Sequence, residues 1–132
     1  MGVMIKTLFE NHKTFELPTS EVIKSIKIDP EYNGGDGGLI IGFDDKKLAI
    51  YDDGRSCCES RWMHTDDELD DFVGAELLDV ELRDGPEEDT DYEVKESKFL
   101  VVKTSIGEFT VVNYNEHNGY YGGFWMQATW IE

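Results

Sequence analysis

The side chains best suited to covalent or metal chemistry are the adjacent thiols Cys57 and Cys58, with Glu59 beside them and His64 further along the chain. Zinc accepts all three residue types, and a ligated thiol is deprotonated. The spacing argues against a structural zinc site, whose cysteines usually stand about two to four residues apart so that both sulfurs converge. Adjacent residues of a strand point to opposite faces, so one thiol faces the core and the other faces away. Buried structural cysteines are the plainer reading. As sequence neighbours they cannot close a structural loop, which agrees with a reducing compartment. His117, in Glu116-His117-Asn118-Gly119, is placed to pair with Glu116 or to act as a base toward Cys58. That second role needs hydrogen-bond reach and an oxyanion hole, and a histidine at a hairpin tip is the plainer alternative.

Carboxylates are so abundant that paired-acid geometry can be drawn almost anywhere, and abundance removes its specificity. A calcium loop over Asp66, Glu68 and Asp70 fails because Asp71 stands where the sharp turn needs glycine. Gly34, Gly35, Gly37 and Gly38 do not lead from a strand into a helix, as a phosphate-cradling loop does. The expectation is therefore a non-enzymatic protein with no metal and no cofactor. A thiol- or metal-dependent enzyme at Cys57 and Cys58 is the third-ranked reading.

Two binding surfaces remain. The first is acidic: Asp44, Asp45, Asp52, Asp53, Asp66, Asp67, Asp70 and Asp71. Such carboxylates copy the charge of a nucleic-acid backbone and steer a basic partner, against the plain alternative of a solvated face. The second is an aromatic hairpin with His117, Tyr120, Tyr121 and Trp125. Alternation along a strand puts Tyr121 and Trp125 on one face, and the intervening glycines leave room for a flat, nucleotide-like ligand. Core packing is the plain alternative there.

These residues need a scaffold, and the composition provides one. The 132 residues are 39% hydrophobic and 12% aromatic, too apolar for a disordered chain and long enough for one domain spanning residues 1–132. The net charge of −17 repels phosphate backbones and anionic lipid, so neither direct nucleic-acid binding nor membrane binding is expected. That charge is uneven: residues 44–96 hold 20 acids against 6 bases, whereas residues 97–132 hold 3 against 2 together with 8 of the 16 aromatics. No stretch approaches a membrane span and the N-terminus lacks a signal-peptide core, so a cytoplasmic location is expected.

Strand signals dominate the chain. Residues 22–28 alternate β-branched residues with lysine and stop at Pro30. Residues 39–43 and 48–51 are apolar runs joined by Asp44-Asp45-Lys46-Lys47, a hairpin-length link. Residues 77–82 alternate, with Leu78, Val80 and Leu82 on one face. Thr65-Asp66-Asp67-Glu68 fits a capping box, and Leu69, Phe72 and Val73 follow at helical spacing before Gly74, which predicts a short helix over about 65–73. Residues 99–104, 108–114 and 120–131 read as a C-terminal three-strand meander, and residues 5–20 are ambiguous. The expected fold class is α+β: a single β-rich domain, mostly antiparallel, with one short helix.

Three ordered strings carry a family resemblance: Tyr51-Asp52-Asp53-Gly54-Arg55-Ser56-Cys57-Cys58-Glu59-Ser60, Asp66-Asp67-Glu68-Leu69-Asp70-Asp71-Phe72-Val73-Gly74, and Glu116-His117-Asn118-Gly119-Tyr120-Tyr121. Over roughly residue 23 to the C-terminus the chain resembles an uncharacterised family of small bacteriophage and bacterial proteins. The resemblance implies a compact β-rich α+β domain and a phage or mobile-element setting. Small non-structural phage proteins often block a host component, so the leading expectation is an accessory or counter-defence protein that binds a basic host protein through its acidic surface, in the host cytoplasm. The alternative is a small-ligand module at the aromatic hairpin. A homo-oligomer stays open.

Overall fold

The computed structural model describes residues 3–5, 15–17, 21–52, 60–89, 93–117, 123–124 and 126–131, the first two segments and Asp89 through their backbone alone. The chain runs through β1 (Val3–Ile5), β2 (Phe15–Leu17), β3 (Ser25–Asp29), β4 (Gly38–Gly42), β5 (Lys47–Asp52), β6 (Ser60–His64), β7 (Leu77–Asp84), β8 (Glu88–Asp89), β9 (Val94–Thr104), β10 (Gly107–His117) and β11 (Met126–Ile131). Strands β1 and β2 pair with each other. The rest form two antiparallel sheets, ordered β6-β10-β9-β7 with β8 also on β9, and β11-β5-β4-β3. Among the described residues the architecture is β-rich with almost no helix, so the α+β label overstates the helical part. Among the described residues no helix is long and apolar enough to cross a membrane.

The two sheets share one apolar cluster. Ile26, Leu39, Ile41, Leu48, Ile50 and Met126 from one meet Leu77, Val80, Leu100, Val102, Phe109 and Val111 from the other. The predicted 39–43 and 48–51 hairpin forms as β4 and β5, with Leu39 opposite Ile50 and Ile41 opposite Leu48. Across the turn Ser105-Ile106, β9 and β10 stay paired from Gly107 opposite Thr104 to His117 opposite Val94.

Three expectations are corrected. The C-terminal meander does not form, because β11 leaves β10 and pairs along β5 in the other sheet, from Met126 opposite Asp52 to Ile131 opposite Lys47. The helix over 65–73 reduces to one 3-10 turn, Leu69–Phe72, entered through an extended Glu68. Thr65 Oγ1 donates to the Thr110 carbonyl at 2.7 Å, and Thr110 N donates to Asp67 Oδ2 at 2.8 Å. These bonds to β10 hold the proposed cap residues in a loop, where tertiary partners outweigh a local capping preference. Leu69 and Phe72 still pack on the core, and the Phe72 ring lies 5.0 Å from that of Phe109. In β7 a register shift between Leu77 and Asp79 makes Leu78 the extra residue, so Leu77 and Val80 are buried while Leu78 is exposed.

Candidate functional site

Both sheets have the same two ends, and the sequence-predicted residues divide between them. The inward side chains of β10 run Phe109, Val111, Asn113, Asn115, His117, all buried. The face thus changes from apolar to polar along one strand. At the polar end, Asn115 Nδ2 donates to the Gly123 carbonyl at 3.2 Å. Arg61 Nη1 donates to the same carbonyl at 2.9 Å and to Asp52 Oδ2 at 2.6 Å. His117 Nε2 lies 2.7 Å from Glu96 Oε1, which also accepts from Gly123 N at 3.1 Å. Gly123 precedes β11 in the crossing from one sheet to the other, so both of its peptide groups are fastened by side chains from β6, β9 and β10.

Asp52 is therefore not part of the acidic surface. Its side chain is 7% exposed and that of Arg61 3%, and the pair belongs to the interior clamp. A carboxylate with its counter-charge in a dry site is unavailable to steer a partner. His117 is likewise no hairpin-tip ligand group: it is buried at the end of β10 and engaged by Glu96. Beside the clamp a cleft of about 600 Å³ is bounded by Asp84, Pro86, Glu96, Lys98 and Phe124. Gly85 forms its edge, where its N–H donates to the Ser97 carbonyl at 3.0 Å, and a Cβ there would collide with Ser97 Oγ. Asp53, Cys57, Cys58, Tyr120, Tyr121 and Trp125 lie outside the described residues. Among the described residues no three of His, Cys, Asp and Glu converge on a metal position.

The opposite end carries the remaining acids. Segment 21–24, which leads into β3, pairs with segment 74–77, which leads into β7: Val22 bridges to Glu76, Gly74 N donates to the Ile23 carbonyl and Leu77 N to that of Glu21. Lys24 N donates to the Gly42 carbonyl on the other side. These bonds set the β4–β5 turn, with exposed Asp44 and Asp45, at the same end as the loop bearing exposed Asp66, Asp67, Asp70 and Asp71. From Thr65 to Val80 the sequence has seven acids and no lysine or arginine. The nearby ion pairs are loose: Lys24 to Asp44 and Lys46 to Glu21 are both 3.5 Å, and His64 to Asp66 is 2.8 Å on an exposed surface.

Sequence reasoning missed what accompanies those acids. Among the described residues, Val22, Val73, Leu78 and Ile106 are four of the six large apolar side chains left exposed. All four gather around Glu76. Val22 bridges to it, Val73 and Leu78 flank it in sequence, and Ser105, just before Ile106, donates its N–H to the Glu76 carbonyl and accepts the Glu76 N–H on Oγ, each at 3.0 Å. An apolar centre rimmed by charge is the anatomy of a protein interface rather than of a merely solvated face. The bulge at Leu78 was hidden because plain alternation assigns that residue to the core.

A family model described as a domain of unknown function, DUF7448, matches residues 19–125. No curated protein and no solved structure matches the chain.

Proposed function

The chain belongs to the DUF7448 family, a domain of unknown function, and from its own residues we propose that it is a non-enzymatic binding protein that engages a basic protein through the acidic end. The observation that carries this reading is the grouping of Asp44, Asp45, Asp66, Asp67, Asp70 and Asp71 around an exposed apolar centre. Charge of one sign gives fast, salt-dependent encounter, and the apolar centre supplies contact area that loses water on binding. The resemblance to small phage proteins supports a host protein as the partner and the host cytoplasm as the setting, with an accessory or counter-defence role.

The test is capture from host lysate at low salt, followed by purification of the captured protein and titration against the chain. A basic partner whose affinity falls at least about tenfold between roughly 50 and 200 mM salt is expected. Equal affinity at both salt concentrations contradicts the reading. The cleft beside Gly123 and Phe124 favours a second reading, a small-ligand module at that cleft. Its acidic walls suit a planar ligand better than a phosphate-rich one. A nucleoside and nucleotide panel that leaves the melting temperature unchanged removes it.

A further inference from the structure

We propose that the segment recognised at the acidic end is a basic amphipathic helix, whose apolar stripe covers Val22, Val73, Leu78 and Ile106 while its flanking lysines or arginines meet the surrounding carboxylates. This rests on the reading of that end as the binding surface and specifies the chemistry of what binds.

The backbone there decides between the two common ways of taking up a peptide. A strand adds to a sheet through unpaired edge N–H and C=O groups. In the segments under the patch those groups are engaged: Ile23 N donates to the Ala75 carbonyl, Gly74 N to Ile23, Leu77 N to Glu21 and Ser105 N to Glu76, and Ile106 N donates to Thr104 Oγ1. Segment 21–24 occupies the edge alongside residues 74–77, whereas beyond Leu77 the outer edge of β7 pairs with no strand among the described residues. Over the patch itself, where the backbone is engaged, recognition proceeds through side chains, as when a helix lays one apolar stripe on a surface. The four apolar residues come from three separate segments, so they form a patch and not a line along one strand.

The charge pattern fits the flanks of such a helix. Asp70, Asp71, Glu76, Asp79 and Glu108 are exposed around the patch, and clustered like charges favour a cationic visitor. On the Val22 side a cleft of about 400 Å³ runs between Glu21–Lys24 and Phe43–Asp45. Val22 and Phe43 offer an apolar wall to the methylene stem of a long basic side chain, and Asp45 and Asp44, the latter loosely paired with Lys24, also line the cleft. Lys46 pairs with Glu21 Oε1 at 3.5 Å, while Glu21 Oε2 is screened from solvent with no hydrogen-bond partner among the described residues. A guanidinium or ammonium group entering the cleft would complete it.

The experiment uses the full chain and two labelled synthetic peptides of identical leucine and lysine composition, one arranged at helical spacing and one scrambled, with binding read by fluorescence anisotropy. The helical arrangement is expected to bind at least about tenfold tighter than the scrambled one. The Leu78→Ser, Ile106→Ser double variant, whose fold is checked by its melting temperature, is expected to abolish that preference while leaving the salt dependence in place. Equal binding of the two peptides, or an unchanged preference in the double variant, overturns the amphipathic-helix inference and leaves the acidic-end reading standing. Failure of both peptides to bind at low salt overturns both. If an extended β-forming basic peptide outcompetes the helical one, strand addition is the correct mode and the inference falls.

Discussion

The two ends of the paired sheets handle carboxylates in opposite ways. At one end Asp52 and Glu96 have turned inward, each matched by a buried partner, Arg61 or His117, and together they fasten Gly123. At the other, Asp66, Asp70 and Asp71 face water in a stretch with no lysine or arginine. An internal counter-charge makes an acid structural, because its desolvation is offset only in that one geometry. An acid with no such partner leaves its field outside the molecule, where another molecule can use it. The same residue type therefore holds the fold together at one end and is left available at the other.

Breaking the clamp has the largest expected consequence. Arg61→Ala leaves Asp52 buried without its cation and should cost about 3–5 kcal/mol, read by denaturant unfolding, while Asp52→Leu with Arg61→Met should recover most of that. A loss well under about 1 kcal/mol would mean that this end does not hold the fold. Next in size is Asp67→Ala, which removes the acceptor of the Thr110 N–H and should lower stability by about 1 kcal/mol, setting this loop acid, bonded to β10, apart from Asp70 and Asp71. Asp70→Asn and Asp71→Asn should each change stability by less than about 0.5 kcal/mol, and relief of like-charge repulsion makes a slight gain the expected sign. The smallest effect concerns Glu81. Its carboxyl is held below the usual range by a hydrogen bond from Arg83 and then by one from Lys103. With its pKa depressed in the folded state, its stabilising contribution is present above the unfolded glutamate pKa and lost as pH falls through the folded value. Glu81→Gln should flatten that part of the melting-temperature profile on the acid side and leave the alkaline side unchanged.

Local pairing was legible in the sequence, and long-range pairing was not. The β4–β5 hairpin followed from two apolar runs and a four-residue polar link, and β3 from its alternation before Pro30. Alternation also marked β10, where the buried positions continue through Asn113, Asn115 and His117. What those polar residues do depends on Gly123 and Glu96, which local periodicity does not connect to them. The exchange of β11 between sheets is non-local in the same way, since either β10 or β5 satisfies the pattern of an apolar strand. At Thr65 the local signal was real but outcompeted, as Thr110 offers the loop both a donor and an acceptor. Of the acids expected on a surface, Asp44, Asp45, Asp66, Asp67, Asp70 and Asp71 lie together at one end. Asp52 lies at the other, as the last residue of β5, and is turned inward by Arg61, nine residues away. Composition gives the amount of charge but not its direction.

One titration separates the two ends. A lysine-rich peptide is bound to the chain across a salt series, alongside two variants that each lose three acids, Asp66→Asn, Asp70→Asn, Asp71→Asn at one end and Glu31→Gln, Asp84→Asn, Glu88→Gln toward the other. Both variants carry the same net charge, so a general effect of acidity acts on them equally. If the acidic end is the binding surface, the first variant loses about tenfold or more in low-salt affinity and shows a shallower salt slope, while the second stays within about twofold of the parent chain. Equal losses in the two variants would contradict the account.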